Sequence, residues 1–204
     1  MTTDALSLRY DRAAPAWDGK ISRLGYNAAY DHLLRAAKLP VTPGRVLDAG
    51  CGTGAFVAAL LRKRPATAVD LLDASPEMLR QARLKLGRAG QDFSDLFDPD
   101  VPETGYDVVL AGHLIEHLDD PAAGLHWLAT RAKPGGKLIL SVSKPHWCTA
   151  LIRLVWGHKA FQPDEICAWA KAAALSTDVI AFPDGPPSRT SMGYIMTRPE
   201  ARSD

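Results

Sequence analysis

The chain has 204 residues, of which 47% are hydrophobic, and its 24 Lys and Arg residues against 23 Asp and Glu leave a net charge of +1. This length suits one α/β domain with its own core, and the balanced charge argues against a nucleic-acid partner, which requires a basic stripe. Residues 1–10 show no signal-peptide pattern, and no apolar run nears the roughly 18 residues of a membrane span. Because Cys51, Cys148 and Cys167 lack metal-binding spacing, we expect reduced thiols in a cytoplasmic protein.

Apolar residues at helical spacing predict a first helix over Tyr26 to Lys38, which Pro40 ends. Strand-type and helical patterns then alternate, which favours βαβ units and a mainly parallel sheet with helices on both faces. Ser75 is expected to cap the helix that begins there, with a proline in its first turn. We predict strands at 45–48, 66–72, near residue 91, 106–111, 137–142, 179–182 and 194–197, and further helices at 55–62, 75–86, 121–132, 149–156 and 163–174.

A glycine cluster, Asp48-Ala-Gly-Cys-Gly-Thr-Gly54, lies between a predicted strand and a predicted helix. Glycine adopts positive φ and has no Cβ, so a ligand can approach the backbone closely, and the following helix presents free N–H groups. The segment from Gly50 to Ala55 also satisfies the dinucleotide fingerprint, with an acid about 20 residues on at Asp70 or Asp73. The loop therefore predicts a nucleotide-type cofactor, and an NAD-dependent dehydrogenase is one alternative.

Segments spaced over most of residues 45–143 resemble, in order, the motifs of the class I S-adenosylmethionine methyltransferases. Val46–Gly54 resembles the first motif, Asp73–Met78 the segment after the second strand, and Gln91–Leu96 the next motif. Tyr106–Pro121 and Lys133–Leu140 resemble the fourth strand with its site loop and the turn into the fifth strand. Within this family, the segments most resemble those of small-molecule methyltransferases of the quinone-biosynthesis kind (methyltransferase type 11). Together they argue against the dehydrogenase alternative.

The resemblance implies a fold and a division of the chain. We expect a single doubly wound, Rossmann-like α/β domain over residues 1–204, with a seven-stranded, mainly parallel sheet whose last strand is antiparallel. Within it, residues 1–40 would form an N-terminal helical cap, residues 41–143 the cofactor-binding core, and residues 144–204 the acceptor-side helices and last strands.

The family's motifs also imply cofactor contacts. Asp48 would help to hold the glycine loop and the methionine end of S-adenosylmethionine, and Asp73, rather than Asp70, would accept hydrogen bonds from both ribose hydroxyls. Asp92 would bond the adenine amino group beside Phe93, with Asp95 as a rival to Asp92. The predicted cofactor-binding residues are Tyr10, Asp48, Gly50, Cys51, Gly52, Gly54, Asp73, Ala74, Met78, Asp92, Phe93 and Ala111.

A cluster beyond the fourth predicted strand supplies candidates for acceptor chemistry. The sulfonium donor needs no acid, so transfer is an in-line displacement that depends mainly on alignment, and a base is needed only if the acceptor must lose a proton. His113, Glu116 and His117 are candidates, and we choose His113, whose alternative is a structural histidine. Together with His146, these residues resemble a group of metal ligands, because some quinone O-methyltransferases bind a divalent ion through Glu-x-x-Glu-His. This chain has His in place of the first Glu, and we predict no metal.

Three segments away from the motifs keep more than one interpretation. Tyr10-Asp-Arg12 resembles N-terminal segments that fold over the cofactor, and the alternative is simple packing of an N-terminal helix. The apolar stretch Trp147–Phe161 predicts an acceptor lid, a peripheral membrane contact or a core helix. Arg189, with Ser188, Thr190 and Ser191, would grip a carboxylate or phosphate, or would form an ordinary surface turn.

The sequence therefore predicts methyl transfer from S-adenosylmethionine to a small, apolar or aromatic, quinone-like acceptor, leaving S-adenosylhomocysteine. The alternatives are a lipid-headgroup methyltransferase at the membrane surface, a non-catalytic S-adenosylmethionine-binding regulator, and the NAD-dependent dehydrogenase. The expected partner is a small-molecule acceptor rather than a nucleic acid.

Overall fold

The computed structural model describes residues 3–41, 43–65, 67–87, 90–147 and 159–200. These residues form seven strands, namely β1 (Arg45–Ala49), β2 (Ala68–Leu72), β3 (Asp92–Phe93), β4 (Tyr106–Gly112), β5 (Ala132–Ser143), β6 (Ser176–Ile180) and β7 (Ser191–Thr197). The helices are α1 (Thr3–Arg23), α2 (Tyr26–Ala36), α3 (Ala55–Leu61), α4 (Pro76–Leu86), α5 (Pro121–Arg131), α6 (Pro163–Ala172) and α7 (Pro186–Thr190), with a 3₁₀ turn at Ile115–His117.

The strands form one sheet in the order β3-β2-β1-β4-β5-β7-β6. Pairings from β3 across to β5 are parallel, whereas β7 runs antiparallel to both of its neighbours. The predicted doubly wound sheet with an antiparallel last strand is therefore confirmed.

Hydrophobic side chains cover both faces of this sheet, as a parallel sheet requires. Successive residues of β4 point to opposite faces: Val109 belongs to the cluster that includes Leu125 of α5, and Val108 belongs to the cluster that includes Leu60 of α3. The central strands are consequently buried runs, and the polar groups needed for function collect at their ends.

The direction of winding changes at β1, which lies between β2 and β4. In open α/β sheets, ligands bind at such a switch point, outside the carboxyl ends of the strands. The carboxyl end of β1 leads into the glycine loop after Ala49, and that of β4 leads to His113. The topology therefore brings the two most informative sequence segments to the same edge of the sheet.

The element bounds differ from the sequence-based prediction at four places. Strand β5 begins at Ala132, because the predicted Pro134–Gly136 turn is part of the strand, with a register shift opposite β4 and Gly135 at φ +72°. Strand β6 ends at Ile180 rather than Phe182, and β7 begins at Ser191 after a short helix where a loop was predicted. Periodicity did not mark α1 as a helix, and the predicted 149–156 helix lies outside the described residues.

Two smaller expectations are also resolved. Ser75 caps α4, since its hydroxyl accepts the backbone N–H of Met78 at 3.1 Å, as predicted. None of the helices in the described ranges is long and apolar enough to cross a bilayer.

Candidate cofactor and acceptor site

The glycine loop after β1 adopts a backbone that favours glycine. Gly50 and Gly52 have φ values of +64° and +51°, a region that side chains other than glycine enter at a cost. A Cβ added to Gly50 would lie 3.0 Å from Cδ1 of Leu114. The glycine backbone of this loop lines the cavity beside the N-terminus of α3.

Asp73 joins this loop to the segment after β2. Its Oδ2 accepts the backbone N–H of Gly52 at 2.8 Å, and its Oδ1 accepts the N–H of Ser75 at 2.9 Å. Burial is the main cause that raises the pKa of Asp73 to about 6. Each carboxylate oxygen keeps a second lone pair, so Asp73 can still accept hydrogen bonds from two hydroxyl groups of a ligand.

Asp48 lies beneath the loop and is 1% exposed. Its Oδ2 accepts the backbone N–H of Val57 at 3.3 Å, whereas its Oδ1 has no hydrogen-bond partner within the described part of the chain. Burial is the largest cause that raises the pKa of Asp48 to about 8. A buried carboxylate oxygen without a partner is costly, and it suits a cationic or hydrogen-bond-donating ligand group.

A cavity of about 1070 Å³ lies at the carboxyl ends of the central strands. Among the predicted residues, Tyr10, Asp48, Gly50, Cys51, Gly52, Asp73, Ala74 and His113 line it. The structure thus brings the glycine loop, the acid after β2 and the acceptor-side histidine to one space.

Five predicted cofactor residues do not line this cavity in the described structure: Gly54, Met78, Asp92, Phe93 and Ala111. The carboxylate of Asp92 forms an ion pair with Arg83, and Phe93 is buried in the core. Met78 and Ala111 are also buried, and Gly54 serves as the N-cap of α3. The wall at this place is formed instead by residues 94–97, which include Asp95, the rival considered from sequence, and Phe97.

Helix α1 lies against the cofactor side of the cavity. Oδ1 of Asp11 accepts the hydroxyl of Ser75 at 2.5 Å, and Oδ1 of Asp18 accepts the hydroxyl of Thr53 at 2.5 Å. Trp17 covers the loop, so a Cβ at Gly52 would lie 3.6 Å from its Nε1. Carboxylates of α1 therefore attach this helix to both loops that follow β1 and β2.

Tyr10 of α1 reaches across the cavity to the other side. Its hydroxyl lies 2.9 Å from Nε2 of His117, and its ring packs edge-on against Trp17 at 5.4 Å between centroids. Burial raises the pKa of Tyr10 and lowers that of His117, so both groups are neutral near pH 7. Tyr10 therefore connects α1 with the 3₁₀ turn and lines the cavity between them.

His113 occupies a strained position directly after β4. Its φ is +58°, and its backbone N–H donates to the carbonyl of Ser141 at 2.8 Å. Nδ1 lies 2.9 Å from Oε1 of Glu116, and Nε2 lies 3.2 Å from the hydroxyl of Ser141. Tyr26 of α2 packs edge-on against the ring at 5.1 Å. The imidazole is thus fixed in orientation while part of it faces the cavity.

The metal-like set of His113, Glu116, His117 and His146 does not come together as a ligand group. Glu116 bonds to His113, whereas the Nε2 of His117 faces Tyr10, and the ring of His146 packs on Trp147. Within the described ranges, no three His, Cys, Asp or Glu side chains are arranged to hold a metal ion.

The segment before β7 contributes less to the site than the sequence suggested. Thr190 lines the cavity, but Arg189 is exposed and is not on the wall of the described cavity. The hydroxyl of Ser188 donates to a backbone carbonyl, and Tyr26 bonds the hydroxyl of Ser191 at 2.9 Å. The predicted anion grip therefore does not form as a group, and the Trp147–Phe161 interpretations lie mainly outside the described residues.

Sequence reasoning did not find the aromatic wall of the cavity. Tyr26 and Tyr30, on the first turns of α2, and Phe56 on α3 line it together with Trp17. Tyr30 and Phe56 are stacked at 4.3 Å between ring centroids. The sequence analysis assigned these rings no role, because only the way that α1 and α2 fold over the sheet places them at the site.

Comparison with known proteins identifies the family. A family model described as a methyltransferase domain matches residues 22–179 of the chain. The ubiquinone biosynthesis O-methyltransferase of Xanthomonas oryzae pv. oryzae (strain PXO99A) is 31% identical over 169 residues, covering 72% of this chain and 68% of that protein.

Solved structures share the fold. A chain of the complex between the Haloferax volcanii Trm112 methyltransferase activator and a methyltransferase has a TM-score of 0.72 at 21% identity, covering 93% of this chain and 96% of that one. The N-methyltransferase NodS from Bradyrhizobium japonicum WM9, solved with S-adenosylhomocysteine, has a TM-score of 0.67 at 18% identity, covering 84% and 86%. The chain belongs to the methyltransferase-domain family, and it is an S-adenosylmethionine-dependent methyltransferase.

Proposed function

We propose that this enzyme methylates a small, apolar or aromatic, quinone-like acceptor. One observation carries the proposal: the cavity that begins at the glycine loop continues to a wall formed by Tyr26, Tyr30 and His113. Aromatic and aliphatic walls with a few convergent polar groups are typical of small-molecule sites. The likeness to a ubiquinone biosynthesis O-methyltransferase supports an acceptor of this chemical kind.

The residues at the glycine loop fit S-adenosylmethionine. The unpartnered buried oxygen of Asp48 suits the ammonium group at the methionine end, and Asp73 has the lone pairs that two ribose hydroxyls require. Gly50 and Gly52 line the cavity without a Cβ, which allows a ligand to approach the backbone closely. Tyr10, Cys51 and Ala74 complete this part of the wall.

For the adenine end we propose Asp95 in place of Asp92, and Phe97 in place of Phe93. Asp95 lines the cavity, whereas Asp92 pairs with Arg83. Phe97 is 54% exposed at the cavity wall, where an aromatic face can cover a purine ring.

On the acceptor side, the chain's own residues align the acceptor and remove its proton. The bound cofactor supplies an electrophilic methyl group on a sulfonium whose departure as a neutral thioether needs no acid. Helix α1 and the side chain of Tyr10 cover the space in front of His113, and alignment of the reacting groups contributes most of the acceleration. His113 then accepts the proton of an acceptor hydroxyl.

An acceptor panel tests this proposal, with formation of S-adenosylhomocysteine as the readout. We expect turnover with catechols and with phenols that carry an apolar tail, and we expect His113→Gln to lower kcat by about 100-fold or more. The control is His126→Gln, which changes an exposed histidine of α5 and should leave kcat unchanged.

The other outcomes of the panel contradict the proposal in distinct ways. Turnover with a phosphoethanolamine lipid alone would support the lipid-headgroup alternative. Binding of S-adenosylhomocysteine with no turnover on any acceptor would support the regulator. The dehydrogenase alternative is withdrawn, because the chain belongs to the methyltransferase family.

A further inference from the structure

We infer that Lys20 of α1 recognises the carboxylate at the methionine end of the cofactor, so that the enzyme distinguishes S-adenosylmethionine and S-adenosylhomocysteine from related nucleosides that lack this carboxylate. The inference rests on the proposed placement of the methionine end beside Asp48. It concerns a lysine that lines the cavity and to which neither the sequence motifs nor the acceptor chemistry gives a role.

Helix α1 carries several cationic side chains, which differ in their relation to the cavity. Arg9, Arg12 and Arg23 are exposed to solvent, whereas Lys20 is half-buried and lines the cavity. Side chains three or four residues apart lie on the same face of a helix, and Lys20 shares the inward face with Trp17, which also lines the cavity. Of these cationic side chains, that of Lys20 is therefore the one placed to meet a ligand.

The cavity wall is otherwise rich in acidic side chains. Its carboxyl groups are those of Asp48, Asp73, Asp95, Asp119 and Asp120. Within the described residues, Lys20 supplies the one lysine or arginine side chain on this wall. The cofactor brings a carboxylate of its own, which loses hydration when it enters the cavity and needs a cationic or hydrogen-bonding partner. Lys20 is the partner of opposite charge that the wall offers.

The surroundings of Lys20 place its ammonium at the glycine-loop side of the cavity. Nζ lies 4.8 Å from the centroid of the Trp17 ring, and Nε1 of that ring would lie 3.6 Å from a Cβ added to Gly52. Asp18 attaches the same part of α1 to this loop, because its Oδ1 accepts the hydroxyl of Thr53 at 2.5 Å. The ammonium of Lys20 therefore lies on the side of the cavity proposed for the methionine end.

The methionine end carries two opposite charges, and two side chains on this side match them. Oδ1 of Asp48 has no hydrogen-bond partner within the described part of the chain and suits the ammonium group of the cofactor. Lys20 suits the carboxylate. Burial lowers the pKa of Lys20, because a partly desolvated ammonium loses hydration, and a ligand carboxylate beside it supplies a charge-assisted hydrogen bond in return.

Recognition by Lys20 also links the cofactor to the acceptor side. The chain continues from Lys20 to Ile21 and Leu24, both of which line the cavity, and α2 then begins with Tyr26 of the acceptor wall. A carboxylate that holds Lys20 in place therefore also holds this part of the wall. We expect the last turns of α1 to become more protected when a ligand with the carboxylate is bound.

Calorimetry with two ligands tests the inference without an acceptor. S-adenosylhomocysteine carries the carboxylate, whereas S-adenosylthiopropylamine keeps the ammonium and the thioether but lacks the carboxylate. We expect Lys20→Met to weaken binding of S-adenosylhomocysteine about tenfold and to change binding of S-adenosylthiopropylamine less than twofold. Lys20→Arg keeps the cation and should keep the preference for S-adenosylhomocysteine. Lys63→Met changes an exposed lysine away from the cavity and should leave both affinities unchanged.

Hydrogen exchange supplies a second readout. In the wild type, S-adenosylhomocysteine should slow amide exchange in residues 17–24 more than S-adenosylthiopropylamine does. This difference between the two ligands should disappear in Lys20→Met and persist in Lys63→Met.

Two results for Lys20→Met would overturn the inference. Equal weakening of both ligands would mean that Lys20 only supports the packing of Trp17, and unchanged affinity for S-adenosylhomocysteine would mean that Lys20 does not meet the carboxylate. If Lys20→Met does not fold, the wild type decides, because equal wild-type affinity for the two ligands would also overturn the inference. An acceptor panel without turnover would instead reject the proposed acceptor chemistry and leave these affinities as expected.

Discussion

Asp73 accepts the backbone N–H of Gly52 at 2.8 Å, so one carboxylate joins the loop after β1 to the segment after β2. The two loops come from parallel neighbouring strands, and their carboxyl ends meet at the same edge of the sheet. Because Asp73 orders the glycine loop and also faces the cavity, we expect a ligand bound in the cavity to stabilise this loop.

Asp48 is expected to reduce stability at alkaline pH. Its pKa is raised by burial to about 8 in the folded protein, against about 3.9 in an unfolded chain. Between these values the folded state holds a proton that the unfolded state has released, so this group's contribution to stability is lost as pH rises from about 4 through about 8. Asp48→Asn should therefore be more stable than wild type at pH 8.5, by about 1 kcal/mol or more.

Urea unfolding without ligand at pH 5 and pH 8.5 measures this effect. Asp73, whose pKa is raised to about 6, is present in both proteins, so the difference between them reports Asp48 together with its repulsion by Asp73. A wild type whose stability relative to Asp48→Asn is the same at both pH values would contradict the assignment. The stabilised variant should bind S-adenosylhomocysteine more weakly, because the group that is costly in the free protein is useful to the ligand.

Gly50→Ala is expected to damage both the fold and the cofactor site. The methyl group would force a side chain into positive φ and would lie 3.0 Å from Leu114, for a cost of about 1–3 kcal/mol. Gly87→Ala is the matched control, because Gly87 has φ +58° but nothing within 4 Å of an added Cβ. Thermal unfolding measures the stability of both variants, and calorimetry measures their affinity for S-adenosylhomocysteine. Only Gly50→Ala should lose affinity, and normal binding by Gly50→Ala would contradict the role of the glycine loop in the cofactor site.

Asp95 and Asp92 can be separated by their effects on adenine recognition. Asp95→Ala should weaken S-adenosylhomocysteine binding about tenfold and should remove the preference over its inosine analogue, which lacks the amino group. Asp92→Ala should change affinity less than twofold, because its carboxylate pairs with Arg83 away from the cavity. Calorimetry with both ligands decides, and the reverse pattern would restore Asp92.

The sequence predicted the fold well because its signals were local. The glycine cluster, the Ser75 cap and the buried run of β4 each fix one element, and the order of these elements implies the sheet. Strand β5 was placed too late because Pro134–Gly136 has turn chemistry, yet the pairing with β4 extends the strand across these residues through a register shift.

Only those site residues that lie in the loops after the strands could be predicted from the sequence. Asp48, the glycines and Asp73 follow strand ends, where position along the chain translates into position at the sheet edge. Phe93 shows the limit: in a strand of two residues, a shift of one or two positions decides whether a side chain enters the core or the cavity. The aromatic wall of the cavity, which includes Tyr26, depends on long-range packing of α1 and α2, for which the sequence carries no local signal.

The most direct test of the account is calorimetric binding of S-adenosylhomocysteine to wild type, to Asp73→Ala, and to Asp178→Ala as an exposed control on β6. The account predicts micromolar binding by wild type, unchanged binding by the control, and at least tenfold weaker binding by Asp73→Ala, about 1.4 kcal/mol. Absence of wild-type binding, or equal affinity of wild type and Asp73→Ala, would contradict the placement of the cofactor against Asp73.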